Sequence, residues 1–356
     1  MKTHQVQQKT ERRISAALRL VFVAALLLGQ IALAFFLSTE LRQRAAIIYT
    51  VLELAAFGYA VRIYNRTDGA SYKFGWIFLV LTVPVVGLIL YFLWNGDRQQ
   101  KRLDLKKLPM PEEPEAQQAA HRIQMEKLRR KFPQWERLSV YLSRQGYLLY
   151  GDTETTYLPT GEMFLQDMLE KLEQAEHFIF LEFFIIAQGQ VWDRMTEIFR
   201  RKAAEGVEVK IIFDDFGSMM RFPAGQIEAL RESGVEVQVF NPVHHYVNRL
   251  YFNYRDHRKI VCIDGSTAYT GGANVADEYA NLTVRFGYWK DCGIRLDGPG
   301  AWGLTREFLH MWQRNGGQLM QERDYYRPHD HREAAGFCQP FVDGPDNNPI
   351  STAEDV

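Results

Sequence analysis

The sequence has little net charge, few cysteines and no visible internal repeat. Its formal net charge over 356 residues is -1 at pH 7, whereas a protein that binds nucleic acid broadly is usually strongly basic. The cysteines, Cys262, Cys292 and Cys338, are widely spaced and odd in number, so they make neither a disulfide framework nor a zinc-binding pattern. A chain of this length has room for a membrane-anchoring segment and one globular domain, or for two small domains.

Long apolar runs are confined to the first 95 residues. Residues 20–37 and residues 74–94 are each long enough to cross a hydrocarbon core of about 30 Å. Between them, residues 45–61 are also mostly apolar but carry Glu53, which in lipid should face another helix or be protonated. A signal peptide would explain the first run alone, and buried helices of a soluble protein are the other alternative. We expect a multi-pass membrane protein, with basic residues on both sides of the region leaving its orientation open.

The composition divides the rest of the chain into a linker and a soluble domain. Residues 96–140 form a charged linker broken by prolines, in which residues 121–131 have the pattern of a basic amphipathic helix. This pattern predicts a solvated connector near the membrane surface. From residue 141 to residue 335, strands and helices alternate, which predicts an α/β domain with helices on both faces of a sheet.

Strands in this domain are predicted from apolar runs, and helices from the spacing of apolar side chains. The predicted strands are 177–187, 207–213, 235–240, 259–263 and 290–296. The predicted helices are 163–175, 192–204, 226–232 and 301–312. Asp214 and Asp215 follow one strand end shortly before Gly217, which favours a turn or site-shaping role over a metal pair.

Residues 256–265, DHRKIVCIDG, hold His257, Lys259 and Asp264 in a His-x-Lys-x4-Asp spacing. Residues 271–274, Gly-Gly-Ala-Asn, follow as a small-residue turn. A histidine can attack a phosphodiester, a lysine can neutralise phosphate oxygens, and such a turn can hold those oxygens through N–H groups. The spacing alone also suits a polar strand edge, and the turn strengthens the catalytic interpretation.

Alternation along a strand puts His257 and Lys259 on one face, which must line a cleft because a buried lysine needs an anion. Asp264 falls on the opposite face and is better placed to fix a turn or a neighbouring strand than to touch substrate. A nucleophilic histidine also needs its second ring nitrogen held, normally by a carboxylate. Asp291, at the next apolar strand, is the best candidate, with a strand-end turn aspartate as the alternative.

These segments resemble the phospholipase D superfamily. Residues 256–265, followed by TGGANVADEYAN at 270–281, look like the superfamily motif, and the wider set resembles bacterial cardiolipin synthase. The wider set consists of residues 83–96, 178–186, 211–218, 253–260, 288–300 and 308–312. The resemblance implies a phospholipase D-like α/β domain, preceded by an α-helical transmembrane region in the bacterial cell membrane.

The resemblance also implies an activity and a set of roles. The family transfers a phosphatidyl group from one phosphatidylglycerol to another through a phosphohistidine, releasing glycerol. The resemblance therefore implies an anionic phospholipid substrate, no cofactor, no metal and no nucleic acid. The residues carried over are the catalytic His257, Lys259 and Asp264, the substrate-binding Gly272 (serine in many relatives) and Asn274, and the histidine-orienting Asp291.

One departure from the family is large. Such synthases resemble two fused copies of this α/β unit, each contributing one motif to a shared site, and this sequence holds one motif. Residues 336–356 resemble the start of a connection to a second copy. We therefore expect half of a site, completed by a C-terminal half or by a second chain. The alternatives are a homodimeric phosphodiesterase or nuclease of the superfamily, and an inactive truncated lipid-binding partner.

Overall fold

The computed structural model divides the chain into two units, one of apolar helices and one with an α/β fold. The described residues are 24–25, 28–29, 31–32, 42–66, 70–94, 115–219, 221–222, 225–242, 255–318, 321–327, 334 and 336–344. Most of the predicted apolar run 20–37 lies outside these residues.

Three apolar helices are described in the first unit: α1 (Arg42–Tyr64), α2 (Ala70–Thr82) and α3 (Pro84–Trp94). They enclose a small aromatic core, in which the ring centroids of Trp76 and Tyr91 lie 5.4 Å apart in an edge-to-face arrangement. Within α1, Ile47–Tyr64 is long and apolar enough to cross a membrane.

The outward surface of this unit is apolar as well. Phe57 is 62% exposed, and Phe78 is 71% exposed. Helices that are apolar both inside and outside are typical of contact with lipid. Glu53 of α1 lines a cavity of about 360 Å³ together with Leu81 and Pro84, so it faces the corner between α2 and α3.

The predicted span of residues 74–94 is interrupted in the structure. α2 ends at Thr82 and α3 begins at Pro84, because a proline cannot donate the N–H that would continue the helix. The chain bends sharply here: a Cβ added to Gly87 would lie 2.5 Å from the carbonyl oxygen of Leu79. The prediction of one continuous span is therefore wrong for this run, which forms two short helices.

The second unit contains the α/β sheet. Its described helices are α4 (Glu115–Lys131), α5 (Glu136–Arg144), α6 (Gly161–Leu172), α7 (Gln190–Ala204), α8 (Asp215–Ser218), α9 (Gln226–Glu232), α10 (Ala301–Arg314) and α11 (Glu322–Tyr325). Its described strands are β1 (Glu154–Leu158), β2 (Phe178–Phe183), β3 (Glu208–Asp214), β4 (Glu236–Phe240), β5 (Lys259–Ile263), β6 (Thr267–Gly271) and β7 (Gly293–Asp297).

These strands form one mixed sheet in the order β1-β7-β6-β5-β2-β3-β4. β2, β3 and β4 are parallel, whereas β5 is antiparallel to both β2 and β6. α6 and α7 cover one face of the sheet, and α10 covers the other. Every residue of β2 is buried, which explains its continuous apolar sequence. The predicted α/β fold with helices on both faces is confirmed.

Helices α4 and α5, which lie largely within the predicted linker, pack against the α/β domain. The Trp302 indole donates a hydrogen bond to Gln117 of α4 at 3.2 Å. His121 Nδ1 accepts the backbone N–H of Leu149 at 2.9 Å, and Ser139 of α5 donates to Gln339 at 2.7 Å. Residues 115–144 are therefore packed parts of the domain rather than a solvated connector.

Candidate active site

His257 and Lys259 meet at the beginning of β5. The two side chains lie on the same side of the strand, and Lys259 Nζ is 3.1 Å from His257 Nδ1 and 2.6 Å from the His257 carbonyl oxygen. The ring of Phe184, which follows β2, flanks both: its centroid is 4.8 Å from that of the imidazole and 5.6 Å from Lys259 Nζ. His257 is exposed, whereas Lys259 is buried. The pair thus offers an accessible imidazole beside a fixed positive charge.

Burial changes the protonation of both groups. It lowers the pKa of Lys259 to about 8, although the negative charges of Asp256 and Asp291 act in the opposite direction. Partial burial also lowers the pKa of His257, and the charge of Lys259 lowers it further. At pH 7 the imidazole is therefore neutral and the ammonium is mostly charged. These are the forms that attack phosphorus and bind phosphate oxygens, respectively.

The contact with Lys259 also selects the tautomer of His257. A charged ammonium can donate hydrogen bonds but has no lone pair with which to accept one, so Nδ1 is the acceptor. The proton of the neutral ring is then on Nε2. In this arrangement neither ring nitrogen offers a free lone pair. A ring nitrogen becomes free only when the ammonium leaves Nδ1 for another acceptor.

Asp264 lies at the opposite end of β5 and does not join this cluster. Its Oδ1 accepts the backbone N–H groups of His177 at 2.7 Å and Phe178 at 2.8 Å, and its Oδ2 accepts that of Glu176 at 2.8 Å. Its φ of +53° lies in the left-handed region, which aspartate tolerates better than most residues. The carboxylate holds the start of β2 against the end of β5, as expected from its place on the opposite face.

Gly272 and Asp291 touch each other beside the cluster. A Cβ added to Gly272 would overlap with Asp291 Oδ1, so any side chain there would displace the carboxylate. Asp291 Oδ1 accepts the backbone N–H of Cys292 at 2.8 Å. Among the described residues, the His257 ring contacts Lys259 and Phe184, so the predicted hydrogen bond to Asp291 is not formed in this structure. The Lys259 ammonium hydrogen-bonds His257 Nδ1 instead.

Asn274 is buried and hydrogen-bonded within the protein. Its Oδ1 accepts the backbone N–H of Ile185 at 3.0 Å, and its Nδ2 donates to the hydroxyl of Tyr279 at 2.8 Å. An isolated parallel bridge between Ile186 and Val275 adds to this connection. Asn274 therefore ties the glycine turn to the segment that follows β2, and its predicted contact with phosphate stays a prediction.

Asp214 and Phe184 shape the site, and the second of them is not singled out by the sequence analysis. Asp214 is fully buried and accepts the backbone N–H groups of Phe216 at 2.8 Å and Asp256 at 3.0 Å, the latter directly before His257. Burial raises the pKa of Asp214 to about 7, and the nearby charge of Arg255 opposes the rise. Phe184 gives no signal of its own, because it lies within the apolar run 177–187, where a phenylalanine looks like core.

A cavity of about 520 Å³ adjoins the cluster. His257, Lys259 and Gly272 form part of its wall. Its apolar lining consists of Ile260, Ile294, Leu296, Leu304, Pro340, Phe341 and Val342. A positive charge next to an apolar wall suits a molecule that has an anionic group and an apolar part.

Two protein families match the chain. Residues 168–284 match the family described as "Cardiolipin synthase, PLD-like domain", and residues 54–95 match "Phospholipase_D-nuclease N-terminal". The chain is 36% identical to an uncharacterized protein of Streptococcus mutans over 76% of this chain and 59% of that protein. It is 31% identical to cardiolipin synthase 2 of Bacillus anthracis over 83% of this chain and 57% of that enzyme.

Solved structures are more distant. NucT from Helicobacter pylori is 13% identical, with a TM-score of 0.36 over 46% of this chain and 97% of that one. The curated relatives are the stronger comparison, and the chain spans somewhat more than half of their length: 59% of the Streptococcus protein and 57% of the Bacillus synthase. Residues 168–284, with the His257–Lys259 pair near their C-terminal end, match a phospholipase D-like domain of the cardiolipin synthase type, and the α/β unit that contains them is phospholipase D-like.

Proposed function

We propose that the protein is a membrane-bound phosphatidyltransferase that makes cardiolipin from two phosphatidylglycerol molecules and releases glycerol. The observation that carries the proposal is the contact of His257 with Lys259 beside a partly apolar cavity. The pair suits a phosphodiester, and the apolar wall suits the lipid part of the substrate. The match of residues 168–284 to a cardiolipin synthase domain supports the same reaction.

The proposed reaction has two displacement steps. In the first, an imidazole nitrogen of His257 bonds to the phosphorus of one phosphatidylglycerol, and the bond from phosphorus to the headgroup glycerol oxygen breaks. The leaving oxygen takes a proton and departs as glycerol. In the second, a hydroxyl of another phosphatidylglycerol loses its proton and attacks the phosphohistidine, which yields cardiolipin and the free imidazole.

Lys259 is proposed to couple substrate binding to the release of the nucleophile. A phosphate oxygen carries negative charge and is a stronger acceptor for the ammonium than the neutral Nδ1 of His257. When Lys259 turns to the phosphate, the imidazole proton can move to Nδ1 and be held by Asp291. Nε2 then has a free lone pair for the attack. In this proposal the hydrogen bond from His257 to Asp291 belongs to the substrate-bound state.

A second proton-transferring group is needed. While His257 is bonded to phosphorus, it cannot also protonate the leaving glycerol oxygen. The sequence contains one His-x-Lys-x4-Asp motif. We propose that a second such histidine completes the site, supplied by a further segment of a longer protein or by another chain.

The first unit is proposed to hold the protein in the bacterial cell membrane with more than one segment. The supporting observations are the span-length helix Ile47–Tyr64 and the apolar side chains on the outside of α1 and α2. The short helices α2 and α3 are too brief to cross a bilayer separately, so they suit a bent insertion.

The first test is phosphatidyl transfer in vesicles of phosphatidylglycerol by the full chain together with a domain that carries a second motif, with cardiolipin measured by mass spectrometry and glycerol measured separately. We expect equal amounts of the two products and none from His257→Ala. A chelator should leave the rate unchanged, because Lys259 and backbone amides supply the positive field. Preferential cleavage of DNA, or strict dependence on a metal, would contradict the proposal.

The second test varies the surface density of the protein in the vesicles. If another chain completes the site, the rate per chain should rise with density, and crosslinking should show dimers. If a further segment is required, co-expression of a domain with a second motif should restore transfer. A high rate that persists in verified monomers would contradict the half-site, whereas no transfer under any condition would favour the inactive lipid-binding alternative.

A further inference from the structure

We propose that residues 281–290 form an interfacial loop that inserts into the surface of an anionic membrane beside the catalytic site. This inference rests on the proposed function only in taking the substrate to be a lipid. The loop is defined by the sequence Asn-Leu-Thr-Val-Arg-Phe-Gly-Tyr-Trp-Lys. Every residue from 282 to 288 is exposed to solvent.

The interfacial loop exposes an unusual amount of apolar surface. Val284 is 85% exposed, Phe286 74%, Tyr288 70% and Leu282 50%. Apolar side chains that stand singly on a protein surface are ordinary, but a run of this kind marks an interaction surface. The mixture of aliphatic side chains with Phe and Tyr suits the boundary between lipid headgroups and acyl chains.

The backbone of the loop is closed at its base. Asn281 Oδ1 accepts the backbone N–H of Trp289 at 2.7 Å, and Asn281 Nδ2 donates to the Trp289 carbonyl oxygen at 2.9 Å and to Glu162 at 2.7 Å. The Trp289 ring packs on Tyr279 with centroids 4.8 Å apart. The exposed apolar residues are thus presented by an anchored structure rather than by an unattached chain, which reduces the entropy lost on binding.

The charge of the loop matches an anionic lipid surface. Between residues 281 and 290 the charged side chains are Arg285 and Lys290, and both are basic. Arg285 pairs with the buried Glu278 at 3.1 Å and lies over the ring of Phe286, which ties the tip of the loop to its base. Lys290 is exposed at the loop end. Basic residues next to exposed aromatic rings are the usual composition of peripheral membrane contacts.

The loop is joined to the catalytic residues by short connections. Asp291 follows it directly, and Asp291 is in contact range of Gly272 and acts on the pKa of Lys259. At the other side, Tyr279 packs on Trp289 and accepts the hydrogen bond of Asn274. Insertion of the loop would therefore bring the His257–Lys259 pair close to the headgroup layer in which a phospholipid phosphate lies.

A lipid surface fits these observations better than a protein partner. A protein partner would contact one side of the loop. Every residue from 282 to 288 is exposed, which suits insertion into the headgroup region of a lipid layer. Protein interfaces are also depleted in lysine, which this loop carries at its end. Docking of a second chain on the loop is the competing outcome of the experiment.

The experiment measures the depth of the loop in the full chain reconstituted in vesicles that contain phosphatidylglycerol. Val284→Cys carries an environment-sensitive fluorophore, in a background with Cys292→Ser and Cys338→Ser. The matched control is Glu232→Cys, an exposed acidic position at the end of α9.

We expect lipids with a quencher on the acyl chain to quench the probe at position 284 about threefold or more beyond the control. Equal quenching at the two positions would overturn the proposal. Crosslinking of two chains through the Val284→Cys thiol, without quenching by lipid, would overturn it as well.

A second measurement separates membrane contact from chemistry. The double variant Val284→Ser with Phe286→Ser should transfer phosphatidyl groups about tenfold more slowly from vesicles, yet at an unchanged rate from a monomeric short-chain phosphatidylglycerol. Ile123→Ser removes an apolar side chain that is 57% exposed on α4 and should change neither rate. Equal loss on both substrates would overturn the proposal. Because probe depth needs no turnover, the proposal can stand even if transfer itself is not found.

Discussion

The two ends of β5 carry residues of one motif but differ in how those residues are bonded. At its beginning, the exposed His257 meets a buried Lys259, and burial lowers the pKa of both groups. At its end, the carboxylate of Asp264 accepts hydrogen bonds from the N–H groups of residues 176–178. The first end keeps groups in a reactive state, and the second end joins two strands.

This difference teaches that the residues of one sequence motif need not form one cluster in the fold. Lys259 and Asp264 are separated by roughly 16 Å of extended strand, too far for both to touch one phosphate. The spacing reflects a strand that is reactive at one end and stabilised at the other. Substitutions at the first end should therefore change activity, and substitutions at the second should change stability.

The largest effect is expected for His257→Ala. Loss of the proposed nucleophile should reduce transfer by roughly 10⁴-fold or more, because in the proposed mechanism His257 is the group that bonds to phosphorus. The thermal midpoint, followed by tryptophan fluorescence, should stay within about 1 °C of the parent, since the side chain is exposed. His177→Ala is the matched control at the other end of the strand pair, and it should leave both quantities unchanged. A folded His257→Ala protein with normal transfer would remove the nucleophile from the mechanism.

Lys259→Gln should come next, with transfer reduced by roughly 10²- to 10³-fold, because the fixed positive charge at the phosphate is lost. The same change should raise the pKa of His257, since the charge of Lys259 contributes to lowering it. NMR titration of the histidine ring measures this shift. An unchanged pKa of His257 in a folded variant would show that the two side chains are not in contact in solution.

Asp264→Ala should act on stability instead. Removal of the carboxylate leaves the N–H groups of residues 176–178 without their acceptor, at a cost of about 2–4 kcal/mol in the free energy of unfolding. Asp264→Asn keeps one acceptor oxygen and should lose about half as much. Transfer per folded chain should remain within about twofold of the parent. Loss of transfer without loss of stability would mean that Asp264 takes part in the reaction. The two ends of β5 would then not differ in the way proposed.

The pH dependence tests the reactive end alone. As pH falls through the lowered pKa of His257, the imidazole gains a proton and kcat/KM should fall. As pH rises through about 8, Lys259 loses its charge and kcat/KM should fall again, by about tenfold at one unit above that pKa. Lys259→Arg should remove the alkaline limb, because an arginine stays charged. An alkaline limb that persists in this variant would belong to another group.

Among the variants expected to lower transfer, Gly272→Ser should have the smallest effect. Its Cβ would overlap with Asp291 Oδ1, so the carboxylate must move and transfer should fall by about fivefold. Gly272→Ala should behave alike, because the displacement comes from the Cβ and not from a hydroxyl. Normal transfer by both variants would mean that the position of Asp291 has little influence on the site.

The regular parts of the α/β fold could be predicted from the sequence. The predicted bounds of β5 and α9 agree with the structure, and those of β2, β3 and β4 agree within a few residues, because buried strands are continuous apolar runs. β1 and β6 are not predicted, since ETTYL and TAYTG are short and rich in threonine. The bend at Pro84 is missed because an apolar run looks the same whether or not it is broken.

The site could be predicted in its parts but not in its contacts. Strand alternation is enough to join His257 with Lys259 and to separate Asp264 from both. It could not predict that Lys259 would occupy Nδ1 of His257 and leave Asp291 to the backbone of Cys292. Which of two candidate partners hydrogen-bonds one ring nitrogen depends on the positions of the side chains in three dimensions, which spacing along the chain does not encode.

The hydrogen bonds from residues 176–178 to Asp264 have a further consequence, because they determine which basic residue lies beside His257. Arg258 and Lys259 are neighbours whose side chains lie on opposite faces of the strand, with Arg258 3.5 Å from the buried Glu182. A slip of β5 against β2 by one residue would exchange the two faces and bring the arginine to the place of Lys259. Asp264 meets the N–H groups of residues 176–178 in one alignment only. Asp264, which is remote from His257, thus fixes the register of β5 against β2. In this register the site contains a lysine, whose proton can be lost near neutral pH, and not an arginine, whose proton cannot.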